Sequence, residues 1–291
     1  MNIVGTLVGR NIKVFLRDKA AVFFSFLAVL IIIMLYALFL GRTTTDSIQA
    51  TLGDIEGVRW MVDSWIMAGI LVVNSITITL GVFGIMVNDE AEKRLQGFLV
   101  APVKRTQLVM GYLFTAWIIS MLLTLVAFVL AEIYIISGGG QLPDAAGLLK
   151  IIGLIALNVF SGSSMVFLLV SFVHSSSAFA AVSTVLGTMI GFLTGIYLPI
   201  GVLPAAVQGF MKFIPATHGT ALMRQALMQA PMDKVFANLP DAAREGFAKE
   251  MGVALYTGET VMPPWVMLLA LTGAGLVFFG LSVLAMRRKR R

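Results

Sequence analysis

Cysteine is absent from the 291 residues. No disulfide can staple this chain, and it has no thiolate to act as nucleophile or metal ligand. His174 and His218 are its two histidines, which excludes a multi-histidine metal centre. Charge is also scarce. Charged residues make up 12% and hydrophobic residues 58%, against about 25% and about 45–50% in a soluble domain. So little charge cannot cover a water-facing surface of this size. A soluble globular enzyme, a disordered chain and a collagen-like chain are excluded. Catalytic signatures are missing too. The sequence has no Gly-x-x-x-x-Gly-Lys-Ser/Thr loop, no His-Glu-x-x-His, no serine nucleophile elbow and no paired intramembrane aspartates. What remains is an integral membrane protein, a conduit or carrier whose energy, if any, comes from elsewhere.

Apolar runs are abundant. A helix crossing the hydrocarbon needs about 20 mostly apolar residues. Six stretches qualify: 20–40, 65–87, 108–136, 148–173, 178–198 and 265–286. Runs such as Ile31-Ile32-Ile33 and Met121-Leu122-Leu123 do not alternate in polarity, so helices are expected rather than a barrel. The first run is too long for a cleavable signal, and Leu40-Gly41-Arg42 lacks a small-residue cleavage pattern. It reads as a permanent helix. The fold class expected is all-α integral membrane, with six transmembrane helices in a single permease domain over residues 1–291.

Net charge is +6, and its distribution orients the chain. With six spans, the N-terminal segment, the connection between spans two and three and the C-terminus share one side. They hold thirteen of the 21 basic residues, including the run Arg287-Arg288-Lys289-Arg290-Arg291. Both termini are expected in the cytoplasm of a cell membrane, bacterial inner or plasma membrane. In a membrane protein this excess reads as topology and lipid-headgroup contact, not nucleic-acid binding.

Three segments lie outside the spans. Residues 1–19 form an interfacial helix candidate, with Arg10, Lys13 and Arg17 on one face and Ile3, Leu7 and Phe15 on the other. That face anchors the chain on anionic lipid, or also contacts a cytoplasmic partner. The connection 88–106 opens with Asp89-Glu90-Ala91-Glu92, followed by Lys93 and Arg94. Acids ahead of bases suit the dipole of a short helix from about Glu90. Leu95, Phe98 and Leu99 give it an apolar face, and Pro102 ends it before Lys104 and Arg105. Such a helix lies on the bilayer or fits a groove on a soluble protein. Residues 199–264 form the largest outside segment. Ala205 to Ile214 reads as a short re-entrant helix stopped by Pro215, Ala221 to Gln229 as a second helix, and 231–260 as an external helical cap.

Polar residues within spans are candidates for a substrate path. Glu132 is the one carboxylate inside an expected span, and an intramembrane ionisable group is a functional candidate by default. Asn74 and Asn158 sit near the middle of the second and fourth spans, where they pack helices together or face a wet cavity. Small residues spaced by four, Gly187, Gly191 and Gly195, suit close helix packing.

These pieces resemble the type-2 ATP-binding-cassette (ABC) export permeases. The resemblance rests on the acidic opening of the 88–106 loop, then Leu95, Phe98-Leu99 and Ala101-Pro102-Val103-Lys104-Arg105, then Leu108 and Gly111. Leu198-Pro199-Ile200 through Leu203-Pro204, then Pro215 and Leu222 to Arg224, resemble that family's external re-entrant hairpin. Lys93-Arg94-Leu95-Gln96-Gly97 departs from the Gly-Thr-Leu-Glu often found there, and the segment after Arg224 is long for the family. The resemblance implies two permease copies, homo- or heterodimeric, docked on two cytoplasmic ABC ATPase subunits that bind ATP and Mg; this chain itself would bind no cofactor. It implies that Glu90, Glu92, Lys93, Arg94, Leu95, Phe98, Leu99, Pro102 and Arg105 form the ATPase-coupling element. It also implies export of an amphipathic cargo: a drug (a multidrug role), a lipid-like molecule, a peptide or a glycolipid. The alternative is an ATP-independent channel or secondary carrier centred on Glu132.

Overall fold

The structure is a computed structural model, and it describes residues 3–94 and 103–288. Helix α1 (Ile3–Arg17) buries Leu7, Asn11 and Phe15, one residue per turn along a single stripe, and leaves Lys13 and Arg17 exposed. Asp18 breaks the chain and caps α2 (Lys19–Leu35), its carboxylate accepting from the Ala21 N–H at 2.9 Å. The two helices meet at 74°.

Helix α2 passes through a π-helical turn (Tyr36–Leu40) into α3 (Gly41–Leu52). The expectation of a helix end at Leu40 is therefore corrected. The polar run that follows contains no proline. Its hydroxyls bond one turn back instead, Thr45 to the Gly41 carbonyl at 2.7 Å and Ser47 to that of Thr43 at 2.8 Å. Such bonds keep polar residues inside a helix.

Among the described residues, five helices are long and apolar enough to cross a membrane: α4 (Val58–Ala91), α5 (Arg105–Ser137), α6 (Ala145–Val170), α7 (Ser176–Leu193) and α11 (Pro264–Arg288). The bent pair α1–α2 makes a sixth only if it is counted as one unit. The protein is thus a multi-pass, mainly helical membrane protein. Asp144 caps α6 by accepting from the Gly147 N–H at 2.8 Å, and Ser175 caps α7 by accepting from that of Ala178 at 3.2 Å. At about 1.5 Å per residue, the 34-residue α4 is about 51 Å long and outruns the roughly 30 Å hydrocarbon.

Helix α4 is the axis of the bundle and packs against α5, α6 and α9 (Pro215–Val235). Of its most apolar stretch 78% is buried, against 11% for α7. The apolar side chains of α7 and α2, Phe23, Phe24, Val185 and Phe192 among them, stay exposed.

The 199–264 segment holds α8 (Ala205–Met211), α9, α10 (Asp241–Glu250) and an antiparallel pair of two-residue strands, β1 (Tyr256–Thr257) and β2 (Thr260–Val261). The short helix is shorter than expected, ending at Met211 rather than Ile214, and Pro215 begins the next helix, as proline at a first helical position can. The second helix is longer than expected and takes Pro231 into its length. The small strand pair replaces part of the expected helical cap. Although α9 is polar, it is buried from Pro215 to Arg224 and over much of the rest, against α4, α6 and α11.

Candidate functional site

Asp89 lies in the last turn of α4 and is 1% exposed. A carboxylate at a helix C-terminus faces the negative end of the dipole, so it needs partners, and it has them on two other helices. Arg10 of α1 binds it through both guanidinium nitrogens: Nη2 reaches Oδ1 at 2.8 Å, and Nη1 makes a shorter bond to Oδ2. The Tyr112 hydroxyl of α5 donates to Oδ2 at 2.8 Å. Arg94, just beyond α4, approaches Oδ1 at 3.6 Å and pairs with Glu92. The bond to Asp89 raises the Arg10 guanidinium pKa above its ordinary value and fixes its charge. One buried carboxylate thus joins the N-terminal helix, the axial helix and the next long helix.

Small residues allow this approach. A Cβ at Gly111 of α5 would stand 2.8 Å from the Leu7 Cβ of α1, so glycine is what lets α1 lie against α5. Asn11 lies beside Leu7 in the buried stripe of α1 and accepts from Arg10 at 2.9 Å. The turn between α6 and α7 joins the same end of α4. Ser176 donates to Asn88 at 3.3 Å, and His174 lies 3.9 Å from Glu90.

The expected coupling residues divide between two helices and the connection between them. Glu90 belongs to α4, which runs to Ala91, so a coupling helix cannot start at Glu90. Asp89 and Glu90 close α4 instead, with Asp89 held by Arg10, Arg94 and Tyr112 against the helix dipole. Glu92 and Lys93 form the turn after α4, with Lys93 in the left-handed region at φ 60°. Arg105 opens α5 and is half-buried, and the Gln107 side chain caps the Lys104 N–H at 2.9 Å. Leu95, Phe98, Leu99 and Pro102 lie outside the described residues. Of the interfacial trio, Arg10 turns inward to Asp89, while Lys13 and Arg17 face outward.

The substrate-path candidates are all buried. Among the described residues, neither carboxylate oxygen of Glu132 finds a hydrogen-bond partner, nor does the Asn74 amide nitrogen. Asn158 donates to the Leu154 carbonyl at 2.9 Å and lines a void of about 10 Å³ with Ile76 and Ser161. That is room for one water molecule at most. A Cβ at Gly219 of α9 would collide with Asn158 Oδ1, so the amide works as a close-packing contact between α6 and α9.

Sequence reasoning missed two further clusters. At the far end of α4, Tyr134 of α5 donates to Asp63 at 3.3 Å and Arg59 lies 3.6 Å from it. An Asp–Tyr bond supported by an arginine therefore closes the α4–α5 pair at both ends. Arg224 on α9 is the largest fully buried side chain. It donates to the carbonyls of Gly195 at 2.9 Å and Met251 at 3.1 Å and stacks over Trp65 at 4.4 Å. The Trp65 indole N–H also reaches the Met251 carbonyl, at 2.7 Å. The hairpin and the cap are thereby tied to α4. Nearby, Lys234 pairs with Glu56 and draws that carboxyl below its ordinary range.

The profile of one protein family, described as ABC-2 family transporter protein, matches residues 44–284. No curated protein matches the chain.

Proposed function

The chain belongs to the ABC-2 transporter family, and from that premise we propose that it is the permease half of an ATP-driven exporter for an amphipathic substrate. The coarser statement stands by itself. This is the membrane subunit of an ABC transporter, a permease and not a nucleotide-binding domain, of a family that associates with ABC ATPases. The finer reading gives it six spans, with α1 as an interfacial helix and α2 with its π-helical turn as the first span, and both termini in the cytoplasm. It places two copies side by side in the cell membrane, their exposed α2 and α7 faces taking up the partner copy or lipid. ATP and Mg belong to the ATPase subunits.

One observation supports coupling most directly. The α4–α5 connection is rooted at Asp89, where α1, α4 and α5 are bonded to one carboxylate. A push on the connection by an ATPase reaches three helices at once, and a rigid bonded junction transmits such a displacement without dissipating it in side-chain motion. In this reading Leu95, Phe98 and Leu99 insert into the ATPase groove, and Glu90, Glu92, Lys93, Arg94 and Arg105 meet its charges. Glu132, with no hydrogen bond among the described residues, and Asn74 and Asn158 are the polar groups of the membrane interior that cargo would meet.

The test is Phe98→Asp. It should release the ATPase while leaving the permease folded and inserted. Retained ATPase and retained transport would refute the coupling assignment.

A further inference from the structure

A cavity of about 540 Å³ opens at the end of the bundle opposite α1, between α3, the turn after α7, and α10. Its size falls within the roughly 300–1,000 Å³ of small-molecule sites. Tyr36, Trp65, Tyr197 and Phe247 give it aromatic walls, and Ser47 and its neighbouring threonines on one face of α3 give it a hydroxyl rim. Glu250 is the one ionisable acid in the lining, which holds no lysine or arginine among the described residues. Glu250 is exposed at the mouth and has no ion-pair partner among the described residues.

The walls are fixed before any ligand arrives. Tyr36 donates its hydroxyl to the Ile196 carbonyl at 3.1 Å, and Trp65 donates to that of Met251 at 2.7 Å. Behind the floor, Arg224 ties the carbonyls of Gly195 and Met251 together. Arg224 is fully buried, does not line the cavity, and holds its guanidinium against those carbonyls and the indole face. A cavity held rigid in this way costs a ligand little ordering on binding.

We propose that this cavity is a binding site for an amphipathic organic cation, its apolar body among the aromatic rings and its charge toward Glu250. Aromatic faces attract cations, and a single unpaired carboxylate in an otherwise uncharged lining selects that sign. The site lies where the apolar α2 gives way to the polar α3, the boundary an amphiphile occupies. Binding here requires neither ATP nor a partner subunit, so the proposal stands or falls apart from the permease reading.

The experiment uses the full chain in lipid nanodiscs and two probes of like shape and opposite charge, tetraphenylphosphonium and tetraphenylborate, with affinities read by calorimetry after subtraction of the binding to empty nanodiscs of the same lipid, since both ions partition into bilayers. Tetraphenylphosphonium should bind more tightly than tetraphenylborate. Filling the cavity with Ser47→Trp, or independently with Ala243→Trp from the α10 side, should raise the phosphonium Kd by about tenfold or more. Glu250→Gln should raise it by about two- to fivefold, the range of a solvated charge contact, and leave tetraphenylborate unaffected. Phosphonium affinity unchanged in both tryptophan variants would overturn the site. Equal binding of the two ions, or no effect of Glu250→Gln, would overturn the assignment of a cation.

Discussion

Asp89→Asn removes one charge and keeps the side chain's shape. In the native protein the carboxylate accepts two bonds from Arg10 and one from Tyr112, with Arg94 at 3.6 Å. The asparagine oxygen can still serve two of these donors, Arg10 Nη1 and Tyr112, but its NH₂ group then faces the other arginine N–H with nothing to accept. Breaking a buried ion pair costs about 3–5 kcal/mol. Arg10 is 29% exposed and recovers part of its hydration, so the loss here is about 2–3 kcal/mol. The loss falls on the docking of α1, because Arg10 is its polar anchor. Since about 1.4 kcal/mol is a factor of ten in an equilibrium, α1 should open about 30- to 150-fold more often. Amide hydrogen exchange on the protein in nanodiscs reads this directly. Residues of α1 should exchange faster by that factor, while α9, tied down at the other end of the bundle, keeps its protection. Unchanged exchange in α1 would refute the reasoning, and so would a uniform loss across the chain.

Other substitutions probe the rest. Arg224→Lys loses the planar fork that reaches two carbonyls; Met251 keeps its bond from Trp65, so Gly195 is the carbonyl orphaned, at about 1–3 kcal/mol, and limited proteolysis should cut within the cap 231–260 faster than in the native protein. Gly219→Ala collides with Asn158 and should lower the thermal midpoint, while adding Asn158→Ala should recover most of the loss; no recovery would place the clash elsewhere. Glu132→Gln keeps shape and removes the carboxylate, so expression should be normal and transport impaired, and unchanged transport would remove Glu132 from the substrate path.

The long helices were legible because hydrophobic length is a local property: each expected span overlaps an observed helix, although the fourth and fifth run past the ends of α6 at Val170 and α7 at Leu193. Helix ends were less legible. Asp89 and Glu90 looked like the start of a short helix because acids suit a helix N-terminus. They close α4 instead, because Arg10, far away in sequence, offsets the unfavourable dipole. The one signal was the mismatch itself: an aspartate at the end of a long apolar helix must find a cation. Arg224 entered only as the end of a motif that carries the resemblance; its bonds gave no signal, since its partners are backbone carbonyls at residues 195 and 251, and carbonyls leave no trace in side-chain chemistry. The join of α2 to α3 was hidden for a similar reason, because hydroxyls that bond one turn back look like loop residues in the sequence.

The most direct measurement is to purify this chain from its native membranes in mild detergent with ATP present and identify what accompanies it by mass spectrometry. The permease reading predicts a soluble ABC ATPase in stoichiometric amount, and the presence or absence of a second, different permease distinguishes a hetero- from a homodimer. A clean preparation without any ATPase would contradict it.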